Sequence, residues 1–377
     1  MNSDSYVVAT GAKNNAGDFL IKERTIRLLE TIRPERNLYR IDRWKPIDDT
    51  ELEIINDSKA LILAGGPALQ PKIYPQIYPL VSDLTKIMVP IVLMGVGWKA
   101  TIGGADGFQD YRFQESSLNF LRIADAHGLG ISVRDFSSLL ALKRYGIASA
   151  LLTGCPAFYS ADRLGQLSLH SPGRIGSVAF SLGVQFLDIP SMIEQTVQTL
   201  EILRNVFPHA DIVVPLHHGL KATAIYSPKK DFVRGHQAIL KMMDRWKIIP
   251  VDISGSFDTL QKVYMDCDFH LGYRLHAHIF MLSAGKPSLL IAEDGRGVAF
   301  QHVLGDTIIP GLMPNLPHLP FGLRLPRRYS IRGARIYAWL AALLDHELTN
   351  NFPHSSQAMN SINQLWPEMH RFLMRLP

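Results

Sequence analysis

A chain of 377 residues exceeds what one hydrophobic core ordinarily serves, so two domains of roughly 150–200 residues are expected. With 47% hydrophobic and 19% charged residues it should fold unaided, and no apolar run approaches the ~20 residues needed to span a bilayer. The net charge of +5 and pI near 9.1 favour acidic small molecules or an anionic membrane surface; a nucleic-acid partner is not expected, because no basic stripe interleaved with aromatics is present.

Cys155 and Cys267 lie far apart, with no Cys or His neighbour at metal-ligand spacing. Neither a disulfide framework nor a metal site is therefore expected. The opening MNSDSYVVAT lacks a basic segment followed by an apolar one, so no signal peptide is read and a cytoplasmic location is expected.

In chain order, 5–10 reads as a first strand, followed by a glycine-bearing turn, 11–18, and a helix marked by Phe19, Leu20, Ile26, Leu28, Leu29 and Ile32. Asp18 is expected to cap that helix, with Asn15 and Gly17 offering backbone N–H groups to a ligand. The turn lacks both the GxGxxG pattern and the P-loop lysine. Strands over 60–64 and 90–95 end in Gly65-Gly66 and Gly95-Val96-Gly97, where paired glycines let a backbone or ligand come close. A loop over 103–107, a helix over 115–126, a strand over 130–133 closed by Arg134-Asp135, a further helix and a strand ending at Thr153-Gly154-Cys155-Pro156 complete the first half.

The polar stretch 160–174 reads as a linker. A second series follows: strand 176–182, helix 192–207, strand 211–216 ending in His217-His218, a helix around 237–246, strand 248–251 and helix 257–267. The segment from Asp266 to Gly297 is the most informative: a short strand, Arg274-Leu275-His276, an apolar helix stopped by Gly285, a buried strand over 288–292 and the charged loop Glu293-Asp294-Gly295-Arg296-Gly297. A lone Arg is ordinarily a solvated residue, and a lone His on an apolar helix a core one. A charged turn between two apolar runs, however, has no packing reason to be charged. Strands alternating with helices indicate an α/β fold of doubly wound parallel sheets, whose ligands bind beyond the carboxyl ends of the strands. Arg324, Arg327, Arg328, Arg332 and Arg335 form a basic cluster that reads as a solvated face or as a contact for lipid head groups or a diphosphate.

Asn15-Ala16-Gly17-Asp18, Leu63-Ala64-Gly65-Gly66, Gly95-Val96-Gly97, Ser132-Val133-Arg134-Asp135, Thr153-Gly154-Cys155-Pro156 and Arg274-Leu275-His276 occur in an order that resembles polysaccharide pyruvyl transferases, over about 7–305. The resemblance implies two Rossmann-like domains facing across a cleft in the GT-B manner, 1–165 on the acceptor side and 175–345 on the phosphoenolpyruvate side, followed by a helical tail over 346–377. It further implies transfer of pyruvate from phosphoenolpyruvate to a glycan or lipid-linked saccharide as a ketal. Arg134, Arg274 and His276 would serve the donor. Where the family often carries a lysine, this chain has Arg296.

The chemistry agrees with these residues. Guanidinium forks match a phosphate and a carboxylate bidentately, a histidine near neutrality can move a proton, and the arginines can neutralise the leaving phosphate without a metal or other cofactor. Asn15, Gly17, Asp18, Gly65, Gly66, His217, His218 and Arg296 are expected to contact substrate. A GT-B glycosyltransferase using a nucleotide sugar, or a glycan-binding protein without activity, would share the fold. Any membrane contact would be peripheral.

Overall fold

The computed structural model describes residues 4–377 except 100–110, 185–188, 224–225, 229, 247, 249, 312, 315–330 and 333–335. The loop over 103–107 and Arg324, Arg327, Arg328 and Arg335 therefore lie outside the described residues. The first half runs β1 (Ser5–Thr10), α1 (Ala16–Ile32), β2 (Asn37–Asp42), α2 (Asp49–Asn56), β3 (Ala60–Leu69), β4 (Ile91–Trp98), α3 (Glu115–Ala126), β5 (Ser132–Val133), α4 (Phe136–Arg144) and β6 (Leu151–Leu152). The second runs β7 (Ser177–Ser181), α5 (Pro190–Val206), β8 (Asp211–Leu216), α6 (Lys230–Asp244), β9 (Pro250–Asp252), α7 (Phe257–Met265), β10 (Phe269–Gly272), α8 (Leu275–Ser283), β11 (Ser288–Ala292), α9 (Gly295–Ala299), α10 (Gln301–Leu304) and β12 (Ile308–Pro310). After a two-stranded antiparallel pair, β13 (Met313–Pro314) and β14 (Ile331–Arg332), come α11 (Leu340–Thr349) and α12 (Pro353–Met374).

Two six-stranded parallel sheets result, in the orders β2-β1-β3-β4-β5-β6 and β12-β11-β10-β7-β8-β9. Both are doubly wound, so each has one point where the winding reverses: between β1 and β3 in the first sheet, between β7 and β10 in the second. Crevices open there because the crossover helices leave in opposite directions. The central strands read as continuous apolar runs because helices cover both faces, as in Leu61, Ile62 and Leu63 of β3 and Leu289, Leu290 and Ile291 of β11, all at most 1% exposed.

An apolar layer joins the two halves. Leu20 and Leu28 of α1, Ile279 and Phe280 of α8, Phe158 of the first half and Met359 and Phe372 of α12 belong to one contiguous core. The last helix thus returns to the first domain, where Tyr6 donates its hydroxyl proton to the Pro377 carbonyl at 2.7 Å and the Arg33 guanidinium donates to the Leu376 carbonyl. No helix among the described residues is long and apolar enough to cross a membrane.

Three expectations change. Asp18 does not cap α1; Asn15 does, its Oδ1 accepting from the Gly17 N–H at 3.3 Å, because the helix begins three residues earlier than its apolar pattern suggests. The strand read as 60–64 continues to Leu69, with Gly65 (φ +29°) and Gly66 (φ +84°) inside it just before a shift of register against β4 between Gly66 and Leu69. Finally, β2 and α2 are elements not anticipated; of β2 only Ile41 is buried, as befits an edge strand, and α2 opens on a capping box in which Asp48 Oδ1 accepts from the Glu51 N–H at 2.9 Å.

Candidate active site between the two sheets

The two reversal points face each other, and hydrogen bonds cross between them. The Ala16 N–H, at the start of α1, donates to the His217 carbonyl beyond β8 at 3.0 Å. Asn14 is buried and bridges both loops of the second domain: its Oδ1 accepts from the Gly219 N–H at 3.0 Å, and its carbonyl accepts from the Gly255 N–H at 2.6 Å.

Arg274 sits at the N-cap of α8, immediately beyond β10, and is 9% exposed. Its backbone N–H donates to Ser181 Oγ at 3.0 Å, and its Nη2 donates to Asn15 Oδ1 at 2.7 Å and lies 3.2 Å from His218 Nδ1. Asn15 therefore fastens the arginine of the opposite domain while capping its own helix. Burial lowers the Arg274 pKa, an effect the Glu293 charge opposes.

His276 follows on the first turn of α8. Its Nε2 is buried without a hydrogen-bond partner. Its ring rests on Gly17, where an added Cβ would lie 2.6 Å from Nδ1 and 2.9 Å from Cγ, so Gly17 is the floor under this ring. Burial, reinforced by the charges of Arg134, Arg274 and Arg296, holds the imidazole well below the ordinary histidine range. Burial first, and then the three nearby cations, place this imidazole below the near-neutral range expected of it and favour its neutral form in the free protein.

Arg134, 1% exposed, follows β5, with Nε and Nη2 both lacking hydrogen-bond partners. Its neighbour Asp135 pairs with it, Oδ2 lying 3.5 Å from Nε, while Oδ1 accepts from the N–H and hydroxyl of Ser138 at 2.7 and 2.8 Å. The Phe300 ring lies 5.4 Å from the guanidinium carbon, and Gly97 makes room for the side chain, since a Cβ there would lie 2.0 Å from Nε. The guanidinium is thus ion-paired with Asp135 through Nε, and its Nη2, with neither a hydrogen bond nor an ion pair, is the part open to an anion.

Arg296 lies on the short helix α9 and spends Nε and Nη2 on Asp294 Oδ2, at 2.8 and 2.6 Å. Glu293 takes the Val184 N–H on both oxygens at 3.1 Å and is pushed up to about 7 by burial and by the adjacent Asp294 charge. Asp18 is raised by burial, against the pull of Arg43 and Arg274. The ring of His217 is turned inward, Nε2 lying 2.6 Å from the Tyr264 hydroxyl, whereas His218 faces Arg274 and is pushed down to about 2 by burial and that charge. The structure thus gathers Asn15, Gly17, Asp18, Arg134, His218, Arg274, His276 and Arg296 around one crevice, and places His217 behind it.

Arg43 and Glu293 are site residues that sequence reasoning missed. Arg43 follows β2, donates from Nη1 to the carbonyls of Gly65 at 3.1 Å and Ala64 at 3.4 Å, and stacks on Trp44 at 4.5 Å. With Gly65, Gly66 and Asp18 it lines a small hollow at the β1–β3 reversal point. The available signal was Gly11, directly after β1, whose hypothetical Cβ would lie 2.0 Å from Arg43 Nε.

Under Arg274 runs a buried chain of hydrogen bonds whose direction is fixed at both ends. Thr307 donates to the Leu304 carbonyl at 2.7 Å, so its oxygen must accept from His278 Nε2–H at 3.2 Å. His278 Nδ1 then accepts from Ser288 Oγ–H at 2.8 Å, and Ser288 accepts from His270 Nδ1–H at 2.8 Å. His270 Nε2 accepts from Ser181 Oγ–H at 2.8 Å, and Ser181 accepts the Arg274 N–H. Both histidines are neutral, in agreement with burial driving His270 well below its ordinary value and His278 down to about 3.

Two doubly wound domains with their reversal points opposed and cationic side chains converging between them define a two-domain α/β protein of the GT-B-like class. The family model described as polysaccharide pyruvyl transferase matches residues 15–295, and the chain belongs to that family. Solved structures to which it is similar include a putative UDP-N-acetylglucosamine 2-epimerase from Listeria monocytogenes (11% identity, TM-score 0.49, covering 97% of this chain and 91% of that one). MnaA of S. aureus with UDP (12%, 0.49, 95% and 91%) and the Klebsiella pneumoniae protein KP1_0663 (13%, 0.42, 82% and 94%) are others. Among curated proteins there is no match.

Proposed function

We propose that this protein transfers the pyruvyl group of phosphoenolpyruvate to a sugar of a polysaccharide or its lipid-linked precursor, as a ketal, with release of phosphate. The observation that carries this reading is the unpartnered Nε2 of His276 near the unspent Nη2 of Arg134, in the same crevice as Arg274. Phosphoenolpyruvate brings a phosphate and a carboxylate on adjacent atoms, which suits Arg134 and Arg274 as bidentate partners.

The reaction needs a proton delivered to the methylene carbon, forming a cation at C2 that one sugar hydroxyl attacks. A second hydroxyl of the same sugar then displaces phosphate from C2. Of the two hydroxyl protons, one replaces the proton given to the methyl group and the other leaves with phosphate, so atoms and charges balance. His276 acts as the acid. It is neutral in the free protein, and the donor's negative charge offsets the three cations and raises its affinity for a proton. Donor binding therefore draws a proton onto the histidine before chemistry. Asp18 and His218 border the acceptor, while Gly65, Gly66 and Arg43 form the floor of the first domain beside it. The arginines neutralise the departing phosphate, so no cofactor enters the scheme.

Calorimetric titration with phosphoenolpyruvate, beside UDP and GDP, tests the reading. Phosphoenolpyruvate is expected to bind with uptake of a proton near pH 7, measured in buffers of different ionisation enthalpy. His276→Ala should abolish the His276 part of that uptake and reduce turnover far more than donor affinity, whereas Arg274→Ala should abolish binding. UDP or GDP binding in place of phosphoenolpyruvate would overturn the proposal in favour of nucleotide-sugar transfer.

A further inference from the structure

Away from the crevice, the turn between α11 and α12 brings together three side chains that none of the preceding chemistry uses. Glu347 lies near the end of α11 and is 0% exposed, its carboxylate facing His354. His354, in the first turn of α12, places its buried Nδ1 2.5 Å from Glu347 Oε1, without hydrogen-bond geometry. His346 adds a third donor, its ring held by Asn350 Nδ2 at 3.1 Å from Nδ1. The donor atoms of all three lie within 4.8 Å of one another.

The backbone holds this arrangement at a cost. Asn351 (φ +60°) and Phe352 (φ +54°) both adopt the left-handed region, which a bulky aromatic residue rarely occupies. Phe352 is anchored on Phe269 with ring centroids 5.7 Å apart, and its N–H donates to the Glu347 carbonyl at 2.6 Å. The turn is thereby set beside the first residue of β10, whereas Arg274 lies beyond the last.

We infer that His346, Glu347 and His354 bind a divalent cation of the zinc type. Two imidazoles and one carboxylate form a donor set suited to a borderline metal, and the exposed side of His346 leaves a fourth position for water. Ligands about 2.0–2.1 Å from one ion stand farther apart than the present His354–Glu347 contact, which opens by about 0.8 Å on binding. The ion satisfies three buried polar atoms that an ion pair alone leaves without hydrogen bonds. It also fastens α11 to α12, the helix whose end reaches Tyr6 and Arg33 in the first domain. The site is a clasp for the domain arrangement and does not depend on the pyruvyl-transfer reading.

Metal-stripped full-length protein titrated with Co²⁺ and Zn²⁺ tests this. One ion per chain is expected, with the visible absorption of low-symmetry Co²⁺, and an excess of Zn²⁺ about 100 times its dissociation constant should raise the thermal midpoint by about 3 °C. His346→Ala, at an exposed position, and His354→Gln should each weaken binding by at least about 100-fold. His209→Ala, at another exposed histidine, should leave binding unchanged. Affinity in His346→Ala and His354→Gln equal to that of the parent, or no saturable binding by the parent, would overturn the inference.

Discussion

Glycine and arginine form complementary pairs in this site: each absent Cβ is the space a cation or an imidazole fills. Gly97 admits Arg134, Gly11 admits Arg43 and Gly17 supports His276, and none of the three has a positive φ, so a methyl group added there would act on the neighbour and not on the backbone. Gly97→Ala is therefore expected to leave folding cooperative while displacing Arg134, lowering kcat/KM by roughly 100-fold, the usual consequence of moving a positioning group by about 1 Å. Steady-state kinetics beside a melting curve separates the two effects; unchanged kinetics would remove Arg134 from the donor site. Glu293 supplies the pH dependence. Its carboxyl, raised to about 7, is protonated in the folded chain and ionised in the unfolded one between about pH 4.5 and 7. Folding stability therefore falls as pH rises through that window, and Glu293→Gln should flatten the slope seen in denaturant titrations. Above pH 7 the ionised Glu293 competes with the donor for Arg274, so donor affinity should rise as pH drops from 8 to 6.5, a trend that should be absent in the glutamine variant.

Among the elements, β10, α8 and β11 determine where the chemistry sits. Apolar Ile279, Phe280, Met281 and Leu282 fix α8 in the shared core, which leaves its first turn, with Arg274 and His276, facing the crevice. The directed chain from Arg274 through His270, Ser288 and His278 to Leu304 then sets the height of that turn above the sheet. Ser288→Ala leaves one imidazole N–H without an acceptor and one imidazole nitrogen without a donor, and is expected to destabilise by about 2–4 kcal/mol. Chemical denaturation measures this, and ¹⁵N spectra should show His270 protonated at Nδ1 and His278 at Nε2. The opposite tautomers would contradict the chain. The sequence displayed this element well, because a charged turn between two buried runs is visible without coordinates. It did not display β2, whose residues other than Ile41 are at least partly exposed, and with β2 went Arg43.

At the scale of the molecule, the site exists only while the two sheets face each other. Asn14 is one polar tie between them, holding the loops after β8 and β9. Asn14→Ala should leave the buried Gly219 N–H without its acceptor, at a cost of about 1–3 kcal/mol. Turnover should fall with the secondary structure retained, which circular dichroism and kinetics together would establish; full activity would show that the crevice does not need this tie. The sequence by itself determined the alternation of strands and helices, the parallel sheets and the charged turn at Arg274-Leu275-His276, because these depend on local periodicity and on glycine and charge at strand ends. Tertiary structure alone decided that Asn15 fastens an arginine 259 residues away, that His276 is neutral beside three cations, and that α12 returns to the first domain. Those outcomes depend on distances between side chains remote in sequence and on the solvent that packing removes, neither of which is expressed in a pattern along the chain.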